Sequence, residues 1–334
     1  NSLASQDNIF IGLDTGGGTW ADTQSNYNVA IGNYSMDGAL NGAIENTALG
    51  YEALSSITTE DANVAIGYRA MSGGGGTQNI AIGADSMYQG PTGGTNYAIG
   101  RYTMMDCNAG ATALSSNSNI AIGHAALGGT WADAASNYNI AIGHTAMDAG
   151  VNGALYNMAM GYAALGALTE GDGNVALGHG AGSALTTGGN NILIGRIAGD
   201  AMTTNNGVIA IGYQAATDLN NNNGNYSVII GYGAGANMTS ANPNHLMGYR
   251  SGYAITTGGN NVANGYETLR YNEKGYGNVA VGYYAAQYVT SSLNVAIGME
   301  AGRGKSSAPY TSGESNISIG SYTNYNVRSE ERRV

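Results

Sequence analysis

A short phrase close to Asn-x-Ala-Ile-Gly-Tyr-x-Ala returns 18 times along this chain of 334 residues. Successive copies are separated by 16 to 23 residues, most often by 17. A unit this short cannot bury a core of its own, so its copies must stack on one another. The repeat therefore predicts a solenoid. Its motif glycines, one in each copy, are Gly12, Gly32, Gly50, Gly67, Gly83, Gly100, Gly123, Gly143, Gly161, Gly178, Gly195, Gly212, Gly231, Gly248, Gly265, Gly282, Gly298 and Gly320.

The residues before each motif glycine have the pattern of a short β-strand. With the glycine as position 0, position −1 is apolar in 17 of 18 copies, and position −3 is mostly β-branched. Alternation of this kind indicates a strand with one face turned to a core. Glycines at this density would each cost a helix about 1 kcal/mol relative to alanine. The sequence therefore predicts an all-β fold.

Small residues occupy the strand position between those two. Position −2 is Ala in 13 of 18 copies and is never charged. We expect the side chains at −3 and −1 to face the core of their own coil. The small residue at −2 would then be covered by the opposite wall of the solenoid or by a second chain.

The remainder of each copy predicts a second strand and a closing turn. Position +3 is Ala, Ser or Thr in all 18 copies, and polar pairs such as Thr186-Thr187 and Thr256-Thr257 follow it. We expect two short strands and two turns in each coil, hence a flattened parallel β-roll of about 18 coils. Asn at position −4, present in 16 of 18 copies, would form an amide ladder from coil to coil.

A change in residue size suggests a boundary inside the solenoid. Position +4 is bulky in eight of the nine copies before Gly178 and mostly Gly or Ala from there on. We therefore predict a lead-in at 1–7, one solenoid segment at 8–177, a second at 178–323, and a charged tail at 324–334.

Composition excludes several classes of function. The chain has 11 Lys and Arg against 22 Asp and Glu, a net charge of −11, so nothing would neutralise nucleic-acid phosphates. The single cysteine, Cys107, cannot form an internal disulfide and is expected to fill a small niche. No run of 18 apolar residues is present, which argues against membrane insertion.

Residues suited to catalysis are scattered. Four histidines, isolated carboxylates and one cysteine offer no nucleophile beside a base, so we expect neither enzyme activity nor a cofactor. No His-x-His pair or flanking carboxylate indicates a metal site. The alternative is that His124, His144 or His179 meets its own copies in a homotrimer and binds a metal there.

Aromatic residues are the candidates for binding. Tyr or His fills position +1 in 11 copies, and stacking would align the rings in a column. The column is either a structural ladder or a strip that stacks sugar rings. Two tryptophans in equivalent long turns either cover an open core edge or bind sugars, and the turns near Cys107 and Tyr310 are further candidates. The predicted binding residues are Trp20, Trp131, Tyr213, Tyr232, Tyr249, Tyr266 and Tyr283.

Three copies carry a resemblance to known proteins. The phrases at 63–70, 119–126 and 294–298, for example Asn294-Val295-Ala296-Ile297-Gly298, resemble the head repeat of YadA-like trimeric autotransporter adhesins and the repeats of bacteriophage tail fibres. The resemblance covers about residues 8–323. It implies a left-handed parallel β-roll, three chains side by side, and an extracellular attachment device. The repeat here is longer than the adhesin repeat, which favours a tail fibre or another surface fibre.

The sequence thus predicts a structural fibre or adhesin protein. It would form a rigid extracellular rod, on a virion or a cell surface, that attaches to a host or another surface. The expected partners are further copies of the chain, as a homotrimer, and surface glycans. The alternative is a self-assembling filament subunit with no specific ligand. An ice-binding face is disfavoured because no Thr-x-Thr array recurs on every coil.

Overall fold

Each copy of the repeat forms one three-residue strand, and the strands pair in parallel. The computed structural model describes residues 5–20, 23–107, 115–131, 134–220, 224–241, 243–305 and 313–324. The chain forms two compact units, Asn1–Asp172 and Gly173–Val334. The predicted all-β parallel solenoid is confirmed. Tyr310 and residues 325–334 of the predicted tail lie outside the described residues, as do residues 1–4 of the predicted lead-in.

The strands occupy the same place in every copy, at positions −3 to −1. Within each unit, neighbouring strands pair in register, so that each position contacts its own equivalent in the next coil, as Ala121 does with Ala141. The first unit contains β1 (Ile9–Ile11), β2 (Val29–Ile31), β3 (Thr47–Leu49), β4 (Val64–Ile66), β5 (Ile80–Ile82), β6 (Tyr97–Ile99), β7 (Ile120–Ile122), β8 (Ile140–Ile142) and β9 (Met158–Met160). The second contains β10 (Val175–Leu177), β11 (Ile192–Ile194), β12 (Ile209–Ile211), β13 (Val228–Ile230), β14 (His245–Met247), β15 (Val262–Asn264), β16 (Val279–Val281), β17 (Val295–Ile297) and β18 (Ile317–Ile319).

The asparagines at position −4 form the predicted ladder. Asn63 is fully buried, and its side-chain oxygen accepts the backbone N–H of Asn79 at 2.9 Å. Its own N–H and Nδ2 donate to the side-chain oxygen of Asn46 at 2.9 and 3.2 Å. Because each side-chain amide accepts a hydrogen bond from the backbone of the next coil, the ladder sets the register in which the coils stack.

The strand faces are opposite to the prediction. In β2 to β18 the middle residue is buried, and no first or third residue of any of the 18 strands is buried. The alanine at −2 therefore faces the interior of its own coil, and the large apolar residues at −3 and −1 face outward. The interior is narrow: Ser86 Oγ, from position +3, donates to the carbonyl of Ala98 at 3.1 Å. In coils of this kind, with a bulky residue at +4, only a small side chain fits between the strand and this turn.

The second predicted strand is absent from the described residues. The polar segment after each turn still bonds from coil to coil, since the N–H of Thr186 donates to the carbonyl of Thr203 at 2.8 Å. The backbone of this polar segment turns too frequently to form a regular ladder of strand hydrogen bonds. Each coil therefore has one strand and a wall of turns, rather than two sheets.

The turn after the motif glycine uses left-handed backbone at positions +2 and +4. Arg69 and Met71 have φ of 51° and 50°, a conformation that costs about 1–2 kcal/mol for a residue with a Cβ. In several coils of the second unit glycine occupies +4, as Gly252 does at φ +60°. A built Cβ there would lie 2.8 Å from Ile255 and from Leu246. Larger side chains at +7 and −2 thus fill the space that Met71 fills in its coil.

Candidate functional site

The outward residues of the strands form an apolar surface in each unit. We call the residues at positions −3 and −1 the outer strand face. Two positions in each of 18 copies supply it, and none is Asp, Glu, Lys or Arg. Its exposed aliphatic members range from Ile122 at 37% to Ile317 at 65% exposed. Thr47, Tyr97, His245 and Asn264 are its exceptions to aliphatic character.

A column of stacked rings lies beside this face in the second unit, at position +1. We call it the tyrosine column: Tyr213, Tyr232, Tyr249, Tyr266 and Tyr283. Successive ring centroids are 5.0, 5.3, 4.9 and 5.2 Å apart. The last three pairs are stacked with interplanar angles of 12° to 19°. The predicted alignment of these residues is therefore present in the structure.

The stacking leaves few ring faces open to a ligand. Tyr249 and Tyr266 each stack on a ring in the coil before and in the coil after. Tyr232 stacks on Tyr249, and the Tyr213 ring lies tilted against its other side. The guanidinium of Arg196 lies 5.6 Å from the Tyr213 ring centroid, and the Tyr284 ring lies 4.1 Å from that of Tyr283. A sugar stacks on an open aromatic face, whereas this column presents ring edges and hydroxyls. The geometry favours the structural ladder.

The hydroxyl groups at the end of this column interact with one another. The hydrogen bond between Tyr283 and Tyr284 is the main reason why the pKa of Tyr284 rises to about 12, and desolvation adds to it. Because this folded-state pKa is above the ordinary tyrosine pKa of about 10, the interaction is fully present below pH 10. It is lost as the pH rises through 12.

The two tryptophans differ in accessibility. Trp131 is fully buried, and its indole N–H donates to the carbonyl of Leu127 at 3.2 Å. A side chain with no exposed surface cannot stack on a sugar, so Trp131 is corrected from a binding candidate to a core residue. Trp20 is half-buried and packs edge-on against Phe10 at 5.7 Å. Its indole N–H donates to Gly16 at 2.9 Å, and its binding role stays a prediction.

Cys107 occupies a closed niche, as expected for a structural thiol. It is fully buried, and its Sγ donates to the carbonyl of Met104 at 3.1 Å. Burial raises the pKa of the Cys107 thiol well above its ordinary value, and the nearby carboxylate of Asp106 adds to the effect. A protonated, inaccessible thiol is a poor nucleophile.

Histidines continue the +1 position in the first unit. The rings of His124 and His144, from adjacent coils, stack at 4.8 Å with an interplanar angle of 15°. Both are exposed, and His144 also stacks on Tyr162 at 5.4 Å. The sequence showed no His-x-His pair because these residues meet through coil stacking, 20 positions apart. Alignment of the copies on their glycines places both histidines at position +1, and the structure adds the distance between their rings.

Replacing one ring of the tyrosine column tests its structural role. We expect Tyr249→Ala to lose two stacked contacts of about 0.5–1.5 kcal/mol each and to lower the urea midpoint of the second unit accordingly. Tyr249→Phe keeps the ring and is the matched control, with a midpoint near that of the wild type. Equal midpoints for Tyr249→Ala and the wild type would contradict the ladder.

Comparison with known proteins assigns neither a family nor a function to this chain. The chain matches no protein-family model, no curated protein and no solved structure. Within the described ranges, no helix has both the length and the hydropathy needed to cross a bilayer. The same part of the chain holds no group of three His, Cys, Asp or Glu side chains able to share a metal ion. Function must therefore be inferred from the surfaces described above.

Proposed function

We propose that this protein is a structural, non-enzymatic fibre module that associates with further copies of itself through the outer strand face. It would act outside the cell, on a virion or a cell surface, as part of an attachment device. The observation that carries the proposal is the outer strand face itself, which is apolar, uncharged and repeated in every coil.

Exposed aliphatic columns of this extent favour association. Single apolar side chains at a protein surface are ordinary, but a contiguous patch larger than several hundred Å² usually marks an interface. In the first unit Ile99 and Ile122 pair in adjacent strands, and both are more than a third exposed. The same two columns run through all nine strands of that unit. Burying them would remove apolar surface from water at about 25 cal/mol per Å².

The size of the face fits a protein interface. Nine strands spaced about 4.8 Å apart, each three residues wide at about 3.3 Å per residue, give a flat area of roughly 400 Å². Exposed rings at positions −5 and +1, such as Tyr138 and Tyr162, border the strands and roughly double that area. A stable interface takes about 800 Å² from each partner. One unit therefore supplies approximately the surface that a stable contact requires.

A second copy of the chain is the partner that this face suits best. It carries no Asp, Glu, Lys or Arg, so two copies can meet without burying an unpaired charge. Its columns have one spacing, set by the strand ladder, and two such surfaces share that period. The resemblance to adhesin heads and tail fibres implies three copies, so the homotrimer is the assembly that we propose.

Recognition of a target is assigned to the turns. The positions common to all copies serve packing: the asparagine bonds to the next coil, and the small residues fill the interior. Turns of variable length are free to differ from coil to coil, and an assembly presents each of them several times. Attachment to surface glycans would then depend on avidity more than on a single pocket.

A charge placed on the outer strand face tests self-association. Leu49→Lys or Ile99→Lys would bury an unpaired ammonium group between copies, a cost of several kcal/mol. We expect each variant to dissociate at concentrations where the wild type is a fixed trimer, with the dissociation constant raised at least about 100-fold. Analytical ultracentrifugation across a concentration series measures this shift.

The control is Ser56→Glu, a charge added at an exposed turn position outside the face. We expect this variant to keep the wild-type mass, and far-UV circular dichroism should show the same β content in all variants. A wild-type chain that remains monomeric at every concentration would overturn the proposal. Growth without a fixed end point would replace the trimer by the filament.

A further inference from the structure

The histidine pair of the first unit has the chemistry of a metal site. His124 and His144 lie at position +1 of adjacent coils, and their rings are parallel, exposed and 4.8 Å apart. Metal–imidazole bonds of 2.0–2.1 Å place two nitrogens about 3.4 Å apart on a tetrahedral ion. Both side chains are exposed, so their rotation, which gives up part of the stacking, can bring one nitrogen of each ring to that separation.

A neighbouring hydroxyl orients one imidazole for coordination. The Thr145 hydroxyl donates its hydrogen to the carbonyl of His144 at 2.8 Å, and its oxygen lies 3.3 Å from His144 Nδ1. With that hydrogen directed to the carbonyl, the arrangement favours the tautomer in which Nδ1–H donates to the hydroxyl oxygen. The lone pair of His144 then sits on Nε2, the ring nitrogen left for a metal. Outer partners that fix a tautomer in this way are common at metal sites.

The local charge also favours a cation. Asp148 follows His144 by four residues, and its carboxylate is within electrostatic reach of both imidazoles. Burial raises the pKa of Asp148, and positive charge on His124 or His144 would lower it. The chain as a whole carries a charge of −11. A dication at the pair would therefore meet a negative environment.

We propose that His124 and His144 together form a two-imidazole site for a late first-row divalent metal ion, of the class Ni²⁺, Cu²⁺ or Zn²⁺. Imidazole suits these ions, whereas Mg²⁺ and Ca²⁺ prefer oxygen ligands. Among the described residues no third His, Cys, Asp or Glu is close enough to join the pair. Water completes the coordination shell. Both imidazoles belong to one chain, so the pair needs no ligand from a second copy.

Titration of the full chain with Ni²⁺ at pH 7.5, followed by isothermal calorimetry, tests this site. We expect one ion per chain, bound with an affinity that falls at least tenfold in His124→Tyr and in His144→Tyr. Tyrosine is chosen because it occupies the same position at Tyr51, Tyr68 and Tyr162, so the stacked ring is kept. Binding should also weaken at pH 5.5, since the ligand must be deprotonated.

His245→Ala is the matched control, because this exposed histidine pairs in register with Val228 and Val262 and has no adjacent imidazole. It should bind Ni²⁺ as the wild type does. Nitrogen chemical shifts of the imidazoles on addition of Zn²⁺ provide a second readout, in which Nε2 of His144 moves. Wild-type affinity in both tyrosine variants, or an equal loss in His245→Ala, would overturn the proposal.

Discussion

Gly67→Ala is expected to unfold the coils around β4 and to lower the stability of the first unit by at least about 4 kcal/mol. The glycine has φ of +136°, and a built Cβ would lie 2.6 Å from the carbonyl oxygen of Gly83 in the next coil. The obstacle is backbone on both sides, so no side-chain rotation relieves it. The coils can separate only by breaking the hydrogen bond between the N–H of Gly83 and the carbonyl of Ile66.

Gly74→Ala is the matched control for this substitution. Gly74 also has a positive φ, +84°, but the nearest atom to a built Cβ is 3.9 Å away. We therefore expect only the backbone cost, about 1–2 kcal/mol. Because repeat arrays often unfold in parts, hydrogen exchange at the strand amides should accompany the urea midpoint. Similar losses for the two variants would show that coil packing at Gly67 is not what requires glycine.

Asn63→Ala is expected to cost about 2–3 kcal/mol, because it leaves the buried N–H of Asn79 without an acceptor. The same change removes a donor from the side-chain oxygen of Asn46. That oxygen still accepts the backbone N–H at position 63. The unreplaced loss of a hydrogen bond therefore falls on the following coil. Hydrogen exchange should show faster opening at Asn79 and Ile80 than at Asn46.

The chain itself suggests the graded control for the ladder. At Ser227, a natural copy without the asparagine, the hydroxyl oxygen accepts the N–H of Asn244 at 3.1 Å. Asn63→Ser should therefore recover part of the stability that Asn63→Ala loses. If serine and alanine at position 63 gave the same urea midpoint, the acceptor function of the side chain would not be what stabilises the coil.

The repeat and its ladder were predictable because they depend on periodicity. Asn at −4 and Gly at 0 recur at one place in each copy, and a stacked coil is the arrangement that brings equivalent residues together. The direction of the strand faces was not predictable in the same way. Alternation separates two faces without saying which is inside. The usual preference for large apolar cores favoured Ile66 and Val64 over Ala65, and the structure buries Ala65.

The signal that could have corrected this lies at two positions taken together. Position +3 is small in all 18 copies and position −2 in 14 of them, which indicates two walls in close contact rather than an open face. The exchange of side-chain bulk between positions +4 and +7 was also not evident from the sequence. Met71 and Gly252 both occupy +4, and the structure shows that Ile255 at +7 fills the space beside the glycine. Left-handed backbone at Arg69 has no sequence signature, since position +2 accepts many residue types.

The candidate sites show the same contrast between features that periodicity predicts and features that depend on distances and burial. The alignment of the tyrosine column followed from the repeat, whereas the use of its ring faces depended on distances. The burial of Trp131 and the partial exposure of Trp20 could not be distinguished from two nearly identical sequence contexts. The coil before Trp131 carries the 23-residue spacing, whereas Trp20 lies in the first coil of the repeat.

The amide ladder is indifferent to how many residues separate its members. Asn79 donates to Asn63 at 2.9 Å across 16 residues, and Asn119 donates to Asn96 at 3.0 Å across 23. Extra residues are thus accommodated outside the ladder, without changing the pitch at which coils stack. The spacing of the coils is therefore constant, whereas the number and type of residues between ladder members can vary. Sequence can be inserted or exchanged between the rungs, and each insertion is displayed at an interval that the backbone has already set.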